Sequence, residues 1–159
     1  MNFFTRLSQR AFSNGTAVAH VRLWNFVASV EQALQPSLRN TPFAVVDANN
    51  ASGRVIDVNE LARALGVRPG TTVHRLRQRF LNVQIRQYNQ ERMQGFSKAF
   101  FTQAKRWGRV VKTDEAGYAI TITIPAVNAL ERAAVFMHMQ EMCWKELECN
   151  ITVGIGSTI

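Results

Sequence analysis

The sequence is poor in cysteine and histidine. Its 159 residues include two cysteines, Cys143 and Cys149, whose spacing matches neither a redox CxxC motif nor a zinc knuckle. The three histidines, His20, His74 and His138, are scattered and form no cluster of ligands. These absences argue against a zinc enzyme. So few cysteines are typical of an intracellular protein, in which both thiols are ordinary buried or half-buried residues.

Long hydrophobic runs are also missing. No apolar run approaches the ~18 residues that a membrane span needs, so we expect no membrane partner and a cytoplasmic location, at the nucleoid if the source is bacterial. Residues 1–17 lack the hydrophobic core and cleavage site of a signal peptide and are expected to form an N-terminal extension. Hydrophobic residues make up 47% of the chain, which is enough for a folded core.

Acidic residues are scarce relative to basic ones. The chain has 11 Asp and Glu against 19 Lys and Arg, a net charge of +8 at pH 7, and residues 51–100 alone contain nine basic and three acidic side chains. This zone includes Arg75, Arg77 and Arg79 in alternation, followed by Arg86. We interpret these four arginines as nucleic-acid-binding, since clustered arginines suit contact with a phosphate backbone. A solvated, arginine-rich surface is the alternative.

The pattern of apolar and turn residues predicts alternating strands and helices. Strands are predicted at about residues 18–24, 42–47, 55–56, 82–86, 109–113, 118–124 and 151–155. Helices are predicted at about residues 25–34, 59–66, 72–80, 89–107 and 127–148. Apolar residues expected on the core face of the helix at 89–107 are Met93, Phe96, Phe100, Ala104 and Trp107; in the last helix they are Leu130, Ala134, Met137, Met142 and Leu147.

The order of these elements predicts the fold class. Without residues 35–86, the order is strand, helix, strand, strand, helix, strand, which is typical of an α+β ferredoxin-like βαββαβ sheet. Residues 35–86 then form a small, basic α/β insertion. Ferredoxin-like sheets carry many unrelated functions, so the fold alone does not assign one.

One acidic pair stands at a tight connection between two predicted strands. Asp114 and Glu115 lie in an otherwise basic neighbourhood, and adjacent carboxylates at such a hairpin can hold Mg²⁺ for nucleotidyl transfer. The alternative is a solvated turn, because Asp and Gly favour turns for conformational reasons.

Four sequence stretches occur in a telling order: FVASVEQ at 26–32 with PSLRNTPFAVV at 36–46, NELARALGVRPG at 59–70, TDEA at 113–116 and ITVGIG at 151–156. Together they resemble the Y-family translesion DNA polymerases: the opening of the chain, the fingers helix with its turn, the second catalytic strand pair and the end of the palm. The resemblance covers about residues 18–159. It implies a palm at 18–34 and 87–159 and a fingers-like insertion at 35–86.

The resemblance also implies a metal site, and the sequence departs from it. In the family, three carboxylates hold two metal ions. Asp114 and Glu115 match the pair on the later hairpin and are the implied catalytic and metal-binding residues. Arg22 stands where the first strand should supply Asp, and Trp24 stands at the other acidic position of that stretch. Because one of three carboxylates is lost, the implied Mg²⁺ is expected to bind far more weakly.

Further positions differ from the family pattern. Val27 replaces the aromatic residue that excludes ribonucleotides, Glu60 replaces a nucleotide-contacting Tyr, and Lys112 replaces a Ser before the acidic pair. The phosphate-binding Arg is retained as Arg63, which is the implied nucleotide-binding residue. The family continues into thumb and little-finger domains beyond the position of Ile159.

We therefore expect a palm and fingers protein, linked to DNA repair or translesion synthesis, that does not polymerise alone and acts by binding DNA, another repair polymerase or a recombinase. Arg22 is expected to pair with Asp114 or Glu115. Two alternatives stay open. One is an active nucleotidyltransferase in which Asp47 or Asp57 replaces the missing acid; the other is a ferredoxin-like nucleic-acid-binding module with aromatic residues exposed on its sheet.

Overall fold

The computed structural model describes residues 15–125 and 128–157. Its strands are β1 (Thr16–Leu23), β2 (Phe43–Val46), β3 (Val55–Val58), β4 (Gln84–Gln87), β5 (Arg109–Thr113), β6 (Ala119–Pro125) and β7 (Ile151–Ser157). Its α-helices are α1 (Phe26–Leu34), α2 (Glu60–Ala64), α3 (Val73–Arg79), α4 (Gln90–Ala104) and α5 (Ala129–Leu147), with a 3-10 helix at Pro36–Asn40. In this part of the chain, no helix is long and apolar enough to cross a membrane.

The described residues fall into two units. The first contains residues up to Trp24 and from Gln94 onward, and the second is Asn25–Met93. The palm and fingers boundaries inferred from the sequence stay a prediction. Most of the predicted extension, residues 1–14, lies outside the described residues, as does Ile159.

The sheet of the first unit has the order β5-β6-β1-β7. All its neighbouring strands are antiparallel, with β1 paired to both β6 and β7. Along the chain, its elements run β1, α4, β5, β6, α5, β7. This confirms the predicted α+β ferredoxin-like order. A β-bulge between Val110 and Lys112 leaves Val111 exposed on the edge strand.

One face of this sheet is buried and the other is exposed. Ala17, Ala19, Val21 and Leu23 are buried in β1, while His20 and Arg22 between them are exposed. Side chains alternate across a strand, so the buried set packs on one face and the exposed set lies on the other. Ile120, Ile122 and Ile124 extend the buried face in β6.

The helices of the first unit contribute the rest of its core. The predicted apolar face of α4 is confirmed at Phe100 and Ala104, which are buried, and Phe96 is half-buried. Trp107 is buried too, but it lies beyond the end of the helix at Ala104. The predicted face of α5 is wrong in part: Leu130 and Met137 are 86% and 68% exposed. The buried residues of α5 follow a four-residue repeat instead and are Val135, Met139, Cys143 and Leu147. The helix is apolar on more than one side, so its composition alone did not select the buried face.

The second unit contains a three-stranded sheet in the order β3-β2-β4. β2 pairs with β3 in antiparallel and with β4 in parallel orientation. All four residues of β2 are buried, because both faces of this central strand are covered. Ala44 and Val46 pack against residues of α2 and α3, whereas Phe43 and Val45 pack with Ala28 of α1.

Asn59 fixes the start of α2 against β2. Its buried side-chain oxygen accepts from the backbone N–H of Ala62 at 3.0 Å and from that of Phe43 at 3.1 Å. Its amide nitrogen donates to the carbonyl oxygen of Thr41 at 2.8 Å. Asn59 is therefore the N-cap of α2, and the same side chain ties the helix to the central strand.

Candidate functional site

The acidic pair lies in the connection between β5 and β6. Asp114 accepts, through Oδ1, the backbone N–H groups of Tyr118 at 3.0 Å and Ala119 at 2.9 Å. The turn closes with a hydrogen bond from the Gly117 N–H to the Asp114 carbonyl, and Gly117 has a positive φ of 77° that favours glycine. One oxygen of Asp114 is thus occupied by the turn itself, while Glu115 is exposed beside it.

Arg22 contacts Tyr118 rather than the acidic pair. Its Cζ lies 5.1 Å from the centroid of the Tyr118 ring, and its Nη2 donates to the Tyr118 hydroxyl at 3.4 Å. Among the described residues, no ion pair joins Arg22 to Asp114 or Glu115, so the predicted pairing is wrong. Two backbone amides already satisfy one oxygen of Asp114, and the neighbouring aromatic ring offers the guanidinium a face to lie on.

The described residues include no group of three or more His, Cys, Asp or Glu placed to hold a metal ion. The weak binding of Mg²⁺ expected from the sequence stays a prediction. Mg²⁺ demands a near-octahedral set of hard oxygen ligands. Here a guanidinium occupies the first-strand position, and one oxygen of Asp114 accepts two amides.

The two acids that might have replaced the missing carboxylate have structural roles in the second unit. Asp47 Oδ1 accepts the backbone N–H groups of Ala48 and Arg54, both at 2.7 Å. Asp57 Oδ2 accepts the N–H of Ala28 in the first turn of α1 at 2.9 Å. Burial raises the pKa of Asp57 above its ordinary value, and backbone hydrogen bonds oppose that shift. Both side chains are used to hold local backbone.

The exposed face of the first unit's sheet is basic. Its four strands contain no Asp or Glu, but they include His20, Arg22, Arg109 and Lys112. Thr121 lies opposite both His20 and Lys112, which places these side chains on the same face. His20 Nδ1 lies 3.2 Å from the Thr121 hydroxyl oxygen. Sequence reasoning missed this face, because only strand register brings its residues together.

The same strands contain no Phe, Tyr or Trp. Sheets that bind RNA by stacking display aromatic rings on their exposed face. The ring of Tyr118 precedes β6 and lies beneath Arg22. The feature that the nucleic-acid-binding-module alternative required is therefore missing from the described strands.

Arg63, the implied nucleotide-binding residue, lies on α2 and contacts Asn25, the first residue of the second unit. Its Nη2 donates to Asn25 Oδ1 at 3.2 Å, and its Nε lies 3.7 Å from Glu60 Oε1. Asn25 has a left-handed φ of 49° and donates its own amide to the Val58 carbonyl at 2.8 Å. Neighbouring side chains thus orient Arg63, and its role toward a nucleotide stays a prediction.

The four predicted nucleic-acid-binding arginines divide into two kinds. Arg75, Arg77 and Arg79 are exposed on α3, where Arg77 Nη2 donates to Asn49 Oδ1 at 2.9 Å. Arg86 instead contacts a buried carboxylate on α1 and shares it with Arg92, which the prediction did not include. Of these four arginines, Arg86 alone contacts a buried carboxylate, and the role of all four in nucleic-acid binding stays a prediction.

The sequence matches the model of the impB/mucB/samB family over residues 22–159. The chain belongs to this family. Its resemblance to the Y-family DNA polymerases is thereby confirmed. Over 143 residues it is 30% identical to DNA polymerase IV 1 of Bacillus subtilis (strain 168), covering 87% of this chain and 34% of that protein. Over 146 residues it is 30% identical to DNA polymerase IV of Bacillus velezensis (strain DSM 23117), covering 89% and 34%.

Solved structures of Y-family enzymes have the same fold as this impB/mucB/samB family member. The insertion ternary complex of Dbh DNA polymerase superposes with a TM-score of 0.75 at 19% identity, covering 88% of this chain and 42% of that chain. DinB from Sulfolobus solfataricus gives the same values. The chain spans about a third of the length of the curated relatives it matches. The likeness to solved structures therefore shows the fold of a palm and fingers region.

Proposed function

We propose that this impB/mucB/samB family member binds DNA through its palm sheet and does not polymerise by itself. One observation carries the proposal: Arg22 occupies the first-strand position of the family's metal site and lies on Tyr118. A cation at this position repels metal ions and attracts phosphate, so Arg22 weakens metal binding and favours DNA binding.

The charge of the exposed palm face supports DNA binding. Its four strands contain no acid and four groups that bind or attract phosphate, namely His20, Arg22, Arg109 and Lys112. The whole chain carries +8 at pH 7, which favours encounter with a polyanion. The curated relatives are named DNA polymerases, which agrees with this choice of ligand.

The rearranged nucleotidyltransferase is the weaker candidate. It needs a third carboxylate near Asp114, and the two candidates, Asp47 and Asp57, accept backbone hydrogen bonds within the second unit. We propose instead that catalysis, where it is needed, comes from a partner such as another repair polymerase or a recombinase. The cytoplasmic location also stays a prediction.

Primer extension tests the catalytic half of the proposal. The unmodified chain is assayed with Mg²⁺ and then with Mn²⁺, beside Asp114→Ala and Arg22→Asp. We expect no incorporation by the unmodified chain or by Asp114→Ala, and metal binding in Arg22→Asp alone. Incorporation by the unmodified chain that Asp114→Ala abolishes would mean that the metal site has been rebuilt, and the enzyme interpretation would replace ours.

Fluorescence anisotropy with labelled DNA tests the binding half. We expect the affinity to be unchanged by EDTA and to fall about tenfold in Arg22→Asp, which loses one phosphate contact and adds a repulsion. Arg132→Asp is the matched control, because it changes the net charge equally at an exposed position of α5. Equal losses in both variants would show that net charge, and not the palm face, sets the affinity.

A further inference from the structure

A buried carboxylate in the second unit holds two arginines. Glu31 on α1 is 0% exposed. Arg86 donates to its Oε2 from Nε at 3.3 Å and from Nη2 at 3.1 Å. Arg92 donates from Nη1 to Oε1 at 3.2 Å and to Oε2 at 3.1 Å. Two guanidiniums share one carboxylate, so the cluster keeps a net positive charge after its internal pairing.

The same two arginines line a cavity of about 410 Å³, within the range of ordinary ligand pockets. The lining residues are Ile85, Arg86, Gln87, Tyr88, Asn89 and Arg92. Arg86 and Arg92 are 28% and 43% exposed, so their outer edges reach solvent. Among the described residues, Arg92 Nε and Nη2 and Arg86 Nη1 have no hydrogen-bond partner in the protein. These N–H groups suit a phosphate oxygen.

Tyr88 adds an aromatic surface to this cavity. The Tyr88 residue is 37% exposed, and its backbone N–H donates to the Val46 carbonyl at 2.8 Å, which fixes the residue at the end of β4. An exposed aromatic ring beside arginines is the combination that single-strand binding proteins use, because every base has a face that stacks. An ion cluster that only stabilised the fold would not need an aromatic ring in the cavity beside it.

We propose that this cavity binds one unpaired nucleotide of single-stranded DNA, with the base on the Tyr88 ring and a phosphate on Arg92 and Arg86. The proposal rests on the proposed DNA binding and adds a preference for unpaired strands at a second place in the chain. Glu31 holds both guanidiniums before the ligand arrives, so binding costs little side-chain ordering. A base paired in a duplex is already stacked and does not offer a face to Tyr88.

The test compares a labelled oligo(dT) strand with a blunt duplex, both titrated with the full chain by anisotropy. We expect Tyr88→Ala to weaken binding of oligo(dT) about tenfold and that of the duplex less than twofold. Tyr88→Phe keeps the ring and is expected to bind as the unmodified chain does. Neither substitution touches Glu31, so the ion cluster and the fold are preserved. Equal binding of oligo(dT) by Tyr88→Ala and the unmodified chain would overturn the proposal.

Two further measurements separate this proposal from the general one. In the first, polyglutamate, a polyanion without bases, competes with labelled oligo(dT) for the chain. If polyglutamate displaces labelled oligo(dT) as effectively as unlabelled oligo(dT) does, charge alone explains the binding and the proposed base contact is overturned. If the unmodified chain binds neither DNA, the proposed function fails, and dTMP is titrated by calorimetry. Binding of dTMP that Tyr88→Ala abolishes would then support the pocket by itself. No binding of dTMP would overturn both proposals.

Discussion

The guanidinium of Arg22 lies on the ring of Tyr118, with Cζ 5.1 Å from the ring centroid. The contact joins β1 to the residue that ends the β5–β6 turn, at the position where the family binds metal. The acidic pair of that turn is left without the arginine. Asp114 accepts two backbone amides, and Glu115 is exposed. Arg22 thus contacts the Tyr118 ring instead of the acidic pair that was predicted as its partner.

Removal of the Tyr118 ring is expected to lower stability slightly. Tyr118→Leu loses both the face under Arg22 and the hydroxyl that accepts from it, and an exposed cation–π contact contributes about 0.5–1 kcal/mol. Urea unfolding followed by circular dichroism measures the change. Tyr118→Phe keeps the ring and is expected to lose less. Equal losses in the two variants would show that the ring face contributes nothing.

Neutralisation of Glu31 is expected to lower the free energy of unfolding by more than the loss of the Tyr118 ring does. Glu31→Gln leaves Arg86 and Arg92, which both reach solvent, without the carboxylate that they contact, and loss of hydrogen bonds to a charged group typically costs about 1.5–3 kcal/mol. Thermal and urea unfolding measure the loss. Glu141→Gln is the matched control, since it removes an exposed pair with Lys145 and is expected to leave stability unchanged. Similar small effects in both would contradict a stabilising role for the cluster.

The two cysteines are expected to be inert in the folded protein. Burial raises the pKa of Cys143 and of Cys149 to about 12, and only the thiolate reacts. At pH 8 the reactive fraction is about a thousandfold lower than for a thiol of pKa 9.0. Labelling with a thiol reagent is expected to proceed only as fast as the first unit opens. Rapid labelling of the native chain, at the rate found in urea, would contradict this.

Asp57 is expected to give a pH-dependent contribution to stability. Burial raises its pKa above the ordinary 3.8, so the folded state binds this proton more tightly than the unfolded state. Its stabilising contribution is present below about pH 3.8 and is lost as the pH rises through the raised pKa. The free energy of unfolding of the unmodified chain minus that of Asp57→Asn should therefore fall with rising pH. A difference that stays constant from pH 3 to pH 7 would contradict the raised pKa.

The sequence predicted the order of helices and strands well, because the hydrophobic periodicity and the turn residues indicated the same elements. Asn59 and Thr72, at which the predicted helices begin, are the N-caps of α2 and α3, and the antiparallel sheet follows the predicted order. The buried face of α5 could not be predicted in the same way. Met137 is exposed and Met139 is buried, although both are apolar residues of one helix, and only packing against the sheet distinguishes them.

The site was less predictable than the fold. Whether Asp114 would pair with Arg22 depended on two backbone amides that the turn presents to its carboxylate, which a list of charges does not reveal. The Glu31 cluster joins residues 55 and 61 positions apart, so no local pattern indicates it. The family resemblance indicated the missing acid at Arg22, but the contact that replaced it appears only in the structure.

Arginines on a buried carboxylate and arginines on a solvated helix should respond differently to ionic strength. Added salt screens the charges of the exposed side chains of Arg75 and Arg79. Arg86 and Arg92 pair with the buried Glu31 inside the second unit, so salt screens these contacts much less. The second unit thus has two populations of positive charge: an exposed one that attracts a polyanion from a distance, and one on a buried carboxylate whose contacts outlast added salt.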